Sequence, residues 1–178
     1  MGQYHRLVVI KSSSGKILAS LHPHQLHEGA KLVEFSSGNS KMITAVEYLF
    51  MSRYNNNRLV VCGDYSEGNL WKCAEEIGND TIKELPDLQD AKPIAIYCVN
   101  LDKKEYIRLS PLEKGTLYPV FILCSNSNGK GGGDYDGNNM HMVGKWCGDR
   151  IKFQIADSSK KYKRYKELKV KFNLYGNV

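Results

Sequence analysis

The 178-residue sequence predicts an α+β protein with a mixed, largely antiparallel sheet built from two diverged hairpin-containing repeats and one or two helices. Three observations point there. A β-hairpin pattern near the start returns nearly ninety residues later, one segment carries clear helical periodicity, and the C-terminal stretch alternates apolar with polar residues. Runs of period 2 and period 3.6 in separate blocks, rather than in strict alternation, favour antiparallel pairing over a doubly wound fold.

The first hairpin joins "RLVVIK" (6–11) to "KILASLH" (16–22) through "SSSG", whose glycine supplies a positive φ. Next comes "SKMITAVEYLFMSRYN" (40–55), where Met42, Ile43, Val46, Leu49 and Phe50 fall on one helical face, with Ser40 placed to cap it and "NNN" to end it. "NNRLVVCGDYSE" (56–67) reads as a strand and "NLWKCAEEIGN" (69–79) as a shorter helix, with Asn69 as cap and Gly78 as stop. The second hairpin pairs "IAIYCVN" (94–100) with "EYIRLSP" (105–111) across "LDKK". "ELKVKFNLY" (167–175) alternates Leu168, Val170, Phe172 and Leu174 with polar residues, the signature of a half-buried strand.

The repeat extends beyond the hairpins. "NNRLVVCGDYSE" lies over "GDRIKFQIADSS" (148–159) with Arg58 on Arg150, and Gly15 to Arg58 spans 43 positions where Lys104 to Arg150 spans 46. The expected organisation is a first repeat over 1–83, a connector over 84–93 and a second repeat over 94–178, packed as one domain. In the second repeat a glycine-rich stretch stands where the first has its long helix.

Composition narrows the function classes. Hydrophobic residues make up 42% and charged residues 25%, as in a globular rather than a disordered chain. The longest apolar runs fall far short of the roughly 20 residues that span a bilayer, so no membrane partner is expected. Cys62, Cys73, Cys98, Cys124 and Cys147 form no C-x-x-C pair, which favours reduced thiols and a cytoplasmic location over a disulfide framework. The net charge of +6 resides in residues 158–178, where Lys160, Lys161, Lys163, Arg164, Lys166, Lys169 and Lys171 oppose only Glu167. A basic segment over 158–171 suits nucleic acid or an acidic protein.

Candidate ligand groups cluster around three Gly-Asp steps. "GKGGGDYDGNN" (129–139) offers Gly131, Gly132 and Gly133 as a nest of backbone amides, with Lys130 to add charge, yet it lacks the hydroxyl residue and following helix of a P-loop. Asp134, Asp136 and Asn138 have the alternate spacing of a calcium loop, without its glycine and glutamate. His22, His24 and His27 supply three imidazoles within six residues, in no recognised zinc pattern. Asp64, Asp134 and Asp149 each follow glycine, while Tyr65, Tyr135 and Trp146 put rings beside Arg58, Lys145 and Arg150.

Read as a set, "MGQY" (1–4), "HPHQLHEGAKLVEF" (22–35), "VVCGDY" (60–65), "VNLDKKEYI" (99–107), "GKGGGDYDG" (129–137) and "VGKWCGDRI" (143–151) resemble a family of small uncharacterised proteins from bacteria, phages and large DNA viruses that begin M-G-Q-Y. The resemblance touches most of the chain and implies no established activity. Only the second half keeps the family's W-x-GDR segment, as Trp146 to Arg150.

The leading expectation is a non-enzymatic binding module without a cofactor. An anionic small molecule, most naturally a nucleotide, would lie in the inter-repeat cleft among Asp64, Tyr65, Lys130 to Asp136, Trp146, Asp149 and Arg150. A metal-dependent phosphodiesterase or nuclease using the aspartates, with histidines as extra ligands, is the alternative. An interaction domain using the basic tail is the third.

Overall fold

The computed structural model describes residues 2–88, 97–109, 111–126, 134–155 and 162–174. Its centre is a seven-stranded sheet of order β2-β1-β3-β7-β4-β5-β8. The strands are β1 (His5–Ile10), β2 (Ile17–Leu21), β3 (Asn57–Gly63), β4 (Tyr97–Asn100), β5 (Glu105–Arg108), β7 (Arg150–Gln154) and β8 (Lys166–Glu167). All ladders are antiparallel except that joining β5 to β8. A separate ribbon pairs β6 (Thr116–Leu117) with β9 (Phe172–Asn173). The α+β class and the two hairpins stand as the sequence predicts.

Up to β5 the order reads alike from either end: a hairpin, its third strand, the other third strand, the other hairpin. β3 and β7 meet at the middle with Arg58 opposite Arg150, the two positions aligned between the halves. Both hairpin turns carry a positive φ at the matching place, +73° at Gly15 and +53° at Lys104. Glycine adopts that conformation freely, whereas lysine meets steric resistance from its Cβ.

α2 (Lys41–Leu49) begins where Ser40 Oγ accepts the Met42 amide at 3.1 Å, and Glu28 accepts the Lys41 amide beside it. Met42, Ile43, Val46 and Leu49 are buried, and a π-helical turn over Phe50–Tyr54 carries the helix on until Asn56 at φ +69° ends it. With the short helices α1 (Leu32–Phe35) and α5 (Pro119–Leu123), α2 covers the inner face of the sheet, where Leu7, Val9, Leu59, Val61, Ile107, Ile151 and Phe153 form the main core. α5 occupies the apolar run 118–124, which sequence periodicity alone left unassigned; Pro119 at its first turn and complete burial make it a core helix.

Three expectations need correction. The helix over 69–79 is two helices, α3 (Leu70–Glu75) and α4 (Gly78–Lys83), so Gly78 starts a helix instead of stopping one. The Asn69 side chain makes no capping bond. The continuous strand over 167–175 is broken into β8 and β9, because residues 168–171 leave the edge of β5 to cross to β6; Leu168 and Phe172 are nevertheless buried, as their alternation requires.

The outer face of the sheet differs between its halves. Over β1, β2 and β3, α3 lays Leu70 and Trp71 on Val8, Val60 and Cys62. Over β4, β5 and β7, among the described residues, the 162–165 turn brings Tyr162 and Tyr165 onto the sheet. No helix among the described residues is long and apolar enough to cross a membrane.

Candidate functional site

The residues expected to share one cleft occupy opposite ends of β3. Arg58, which pairs with Arg150, and Gly63, which precedes Asp64, are five steps apart on that strand, about 16 Å at the usual rise per residue.

At the Asp64 end, Asp64 Oδ1 accepts the Tyr4 amide at 3.0 Å and the Asp64 amide donates to Tyr4 O at 2.9 Å. Asp134 is buried nearby, its Oδ1 3.4 Å from His5 Nε2, a close contact without hydrogen-bond alignment. The Gln3 amide, oriented by its surroundings, donates to both Asp134 oxygens at 2.9 and 3.0 Å and accepts the Tyr65 amide at 3.3 Å. Burial drives His5 down to about 4, against the opposing pull of Asp134 and Asp64, so the imidazole is neutral at physiological pH. Two of the three Gly-Asp steps therefore do come together, across β1. Tyr65 stays exposed. Lys130, Gly131, Gly132 and Gly133 lie outside the described residues.

Tyr135 turns inward, its ring edge-on to Phe172 and its hydroxyl donating to Asn138 O at 2.6 Å. Asn138 and Asn139 donate to Lys171 O at 3.0 Å each, and Asn138 Oδ1 accepts the Asn173 amide at 2.9 Å. The Asp-x-Asp-x-Asn spacing thus fastens a turn to β9, with Asp136 exposed, and does not wrap a cation. No group of three His, Cys, Asp or Glu side chains among the described residues is placed to hold a metal. His22 Nδ1 accepts the His24 amide at 3.3 Å and caps a 3-10 turn over Pro23–Leu26, which His27 closes at φ +61°. These histidines organise the chain after β2.

At the other end, every predicted cation is already neutralised. Arg150 donates through Nε and Nη2 to Asp102 at 2.7 Å, and Arg58 donates to Gly148 O at 2.8 Å with Asp102 at 3.9 Å. Lys103 pairs with Asp149, which also accepts Asn100 Nδ2 at 2.7 Å. Trp146 is wholly buried, contrary to its expected role as a stacking surface. Its Nε1 donates to Glu105 at 2.8 Å, and Lys145 pairs with the same carboxylate at 2.6 Å. Burial alone would push Glu105 up, but the hydrogen bonds from Lys145 and Trp146 hold it below the usual carboxylate range. This is a braced junction between hairpin turn and strand, in which Trp146 is buried and each of these cations has an acidic neighbour among the described residues.

The open half of the sheet presents a different constellation. Strand register places Lys152, Val99 and Tyr106 in one cross-strand row of the outer face, and Gln154, Tyr97 and Arg108 in the next. Tyr97 and Tyr106 meet edge-on with centroids 5.8 Å apart. Tyr162 lies over both, 6.4 and 5.8 Å away, and stacks on Tyr165 at 5.4 Å and 21°. The backbone bond from Lys166 to Lys104 O at 2.9 Å brings a further pair of lysines to the margin. All four rings are half-buried, while Lys104, Arg108, Lys163, Arg164 and Lys166 are exposed. None of these five cations, nor Lys152, makes an ion pair among the described residues.

The basic segment expected from the sequence contributes Lys163 and Arg164 to this platform, whereas the strand and turn cations Lys104, Arg108 and Lys152 and the role of the tyrosines were missed. A local signal for two of the rings was present in "KKYKRYKELK", where Tyr162 and Tyr165 interleave with lysine and arginine. Tyr97 and Tyr106 join them only through strand register, which no local pattern reveals. Comparisons with protein-family models, curated proteins and solved structures gave no match to this chain.

Proposed function

We propose that the protein is a binding module for single-stranded nucleic acid, with Tyr97, Tyr106, Tyr162 and Tyr165 as the stacking platform and Lys104, Arg108, Lys152, Lys163 and Arg164 as phosphate contacts. The observation that carries this reading is the coincidence of stacked rings with five cations, Lys104, Arg108, Lys152, Lys163 and Arg164, that make no ion pair among the described residues; Lys166 faces Glu105 across the β5-β8 ladder and is not counted with them. Aromatic side chains accept the face of any base, and cations along a groove or margin track the backbone; together they bind single strands with little sequence preference. A duplex keeps its bases stacked on one another and offers the rings nothing. The nucleotide chemistry expected from the sequence is retained, but its rings come from the tyrosines and not from Trp146.

The module has no need of a metal or a nucleophile in this role. Its duplicated frame, as the sequence suggests it, supplies two outer faces, one roofed by helices and the other left for a ligand.

The test is fluorescence anisotropy with a labelled single-stranded oligonucleotide and the same oligonucleotide annealed to its complement. Single-strand affinity should exceed duplex affinity at least tenfold at equal salt. Its logarithm should fall with the logarithm of salt at a slope near −0.7 per phosphate contacted, or about −3 for four contacts. Equal binding of both forms would leave only a basic patch and overturn the stacking reading.

A further inference from the structure

A cavity of about 410 Å³ opens beside β5, on the side where residues 168–171 leave the sheet edge. It lies within the range of small-molecule sites, roughly 300–1,000 Å³. Ile107, Leu109, Leu117 and Leu168 form its floor, and Leu112 and Val170 its sides. Pro111 stiffens one loop that bounds it, and Pro119 at the first turn of α5 bounds it from another side.

Two features define what would fit. Among the described residues the lining contains no aromatic ring for a base to stack on, and the Thr116 hydroxyl is already donated to Glu113 O at 2.7 Å. The interior therefore offers dispersion contacts to an aliphatic chain and few polar anchors. The mouth carries Arg108, Lys169 and Lys171 against Glu113 and Glu167. Lys171 is engaged by Glu113 at 3.0 Å, and Glu167 receives the Tyr106 hydroxyl at 3.5 Å. Arg108 and Lys169 make no ion pair among the described residues and stand exposed at the rim.

We infer that this cavity binds a medium-length aliphatic carboxylate, with the acyl chain against Leu109, Leu112, Leu117 and Leu168 and the carboxylate at Arg108 and Lys169. The site is independent of the nucleic-acid reading in its chemistry, although it shares β5 and the 166–171 segment with the platform.

Sodium decanoate, kept below its micellar concentration, is the probe, followed by amide chemical shifts on titration into the full chain. Saturable shifts confined to residues 107–117 and 167–171 are expected. Decyltrimethylammonium, with the same tail and the opposite charge, should bind at least tenfold more weakly. Leu112→Trp, which fills the space from a half-buried position, should weaken decanoate at least tenfold. Arg108→Glu with Lys169→Glu changes only exposed side chains and should do the same, so the inference remains testable should the tryptophan variant fail to fold. Absence of saturable shifts, equal binding of the two detergents, or an unchanged affinity in the charge-reversed variant would each overturn it. Tighter saturation of the same residues by adenosine monophosphate would overturn it in favour of a nucleotide.

Discussion

The outer face of the sheet is sealed over β1, β2 and β3 and open over β4, β5 and β7. In the sealed half the strand cation is Arg6, 4% exposed, its guanidinium 4.4 Å from the centroid of Trp71 and 3.4 Å from Glu75. α3 supplies both partners, and the charge is consumed within the fold. In the open half the strand cations beneath the tyrosines are Lys152 and Arg108, with no helix above them and no carboxylate paired to either among the described residues. The strand plan is shared, so the difference lies in what each half places over its strands. A helix roof uses the outer face for stability, while a turn of tyrosines and lysines leaves charge and ring faces for a partner.

The largest effect that separates the halves is the pH dependence of stability. Burial lowers His5 and His22, both in the sealed half, to about 4. An unfolded chain takes up these protons near the ordinary value of about 6.5, so below that pH the unfolded state binds more protons than the folded one. Stability should be complete above pH 6.5 and decline as the pH falls toward 4, by about 3 kcal/mol from the fully buried His5 alone. Urea unfolding at a series of pH values checks this, and His5→Phe should remove about half of the slope, leaving the part due to His22.

Next in size, Trp71→Ala should cost about 2 to 3 kcal/mol, because it removes apolar burial and bares a guanidinium that the ring had covered. Single-strand affinity should be unchanged in this variant, since the sealed half plays no part in binding. A smaller effect is expected from Lys163→Glu with Arg164→Glu: stability within about 0.5 kcal/mol of the parent, and a salt slope shallower by about 1.4 if each residue contacts one phosphate. Smallest of all, Lys104→Gly relieves the left-handed backbone of the second hairpin turn and should stabilise by about 0.5 to 1 kcal/mol, matching the glycine that the first hairpin already has.

Much of the fold was legible because its signals are local. Val8 and Val60 sit in β-branched runs, Ser40 caps a helix whose apolar face has the right period, and Gly15 marks a turn. Arg58 and Arg150, aligned with each other in the sequence, face one another where β3 meets β7, a pairing the sequence did not predict. What failed was non-local. Trp146 and Arg150 look like a ring and a charge awaiting a ligand, until Glu105 and Asp102 arrive from the second hairpin to satisfy them. Gly78 looked like a helix stop because a single glycine cannot announce that a second helix starts there. The site was legible in part: residues 162–166 declared their charge and two of their rings, but Tyr97 and Tyr106 lie about a third of the chain away in sequence, and only the β4-β5 register brings them underneath.

The central claim is that stacked tyrosines, and not basic charge alone, bind the strand. The most direct measurement is the affinity of a labelled single-stranded oligonucleotide for the parent protein and for Tyr106→Ala with Tyr162→Ala, at one fixed salt concentration, with unfolding followed in parallel. Base–aromatic stacking contributes about 1 to 3 kcal/mol per base, so the double variant should bind at least tenfold more weakly while its salt slope stays the same. An affinity within twofold of the parent in a folded double variant would contradict the account and reduce the platform to a basic surface.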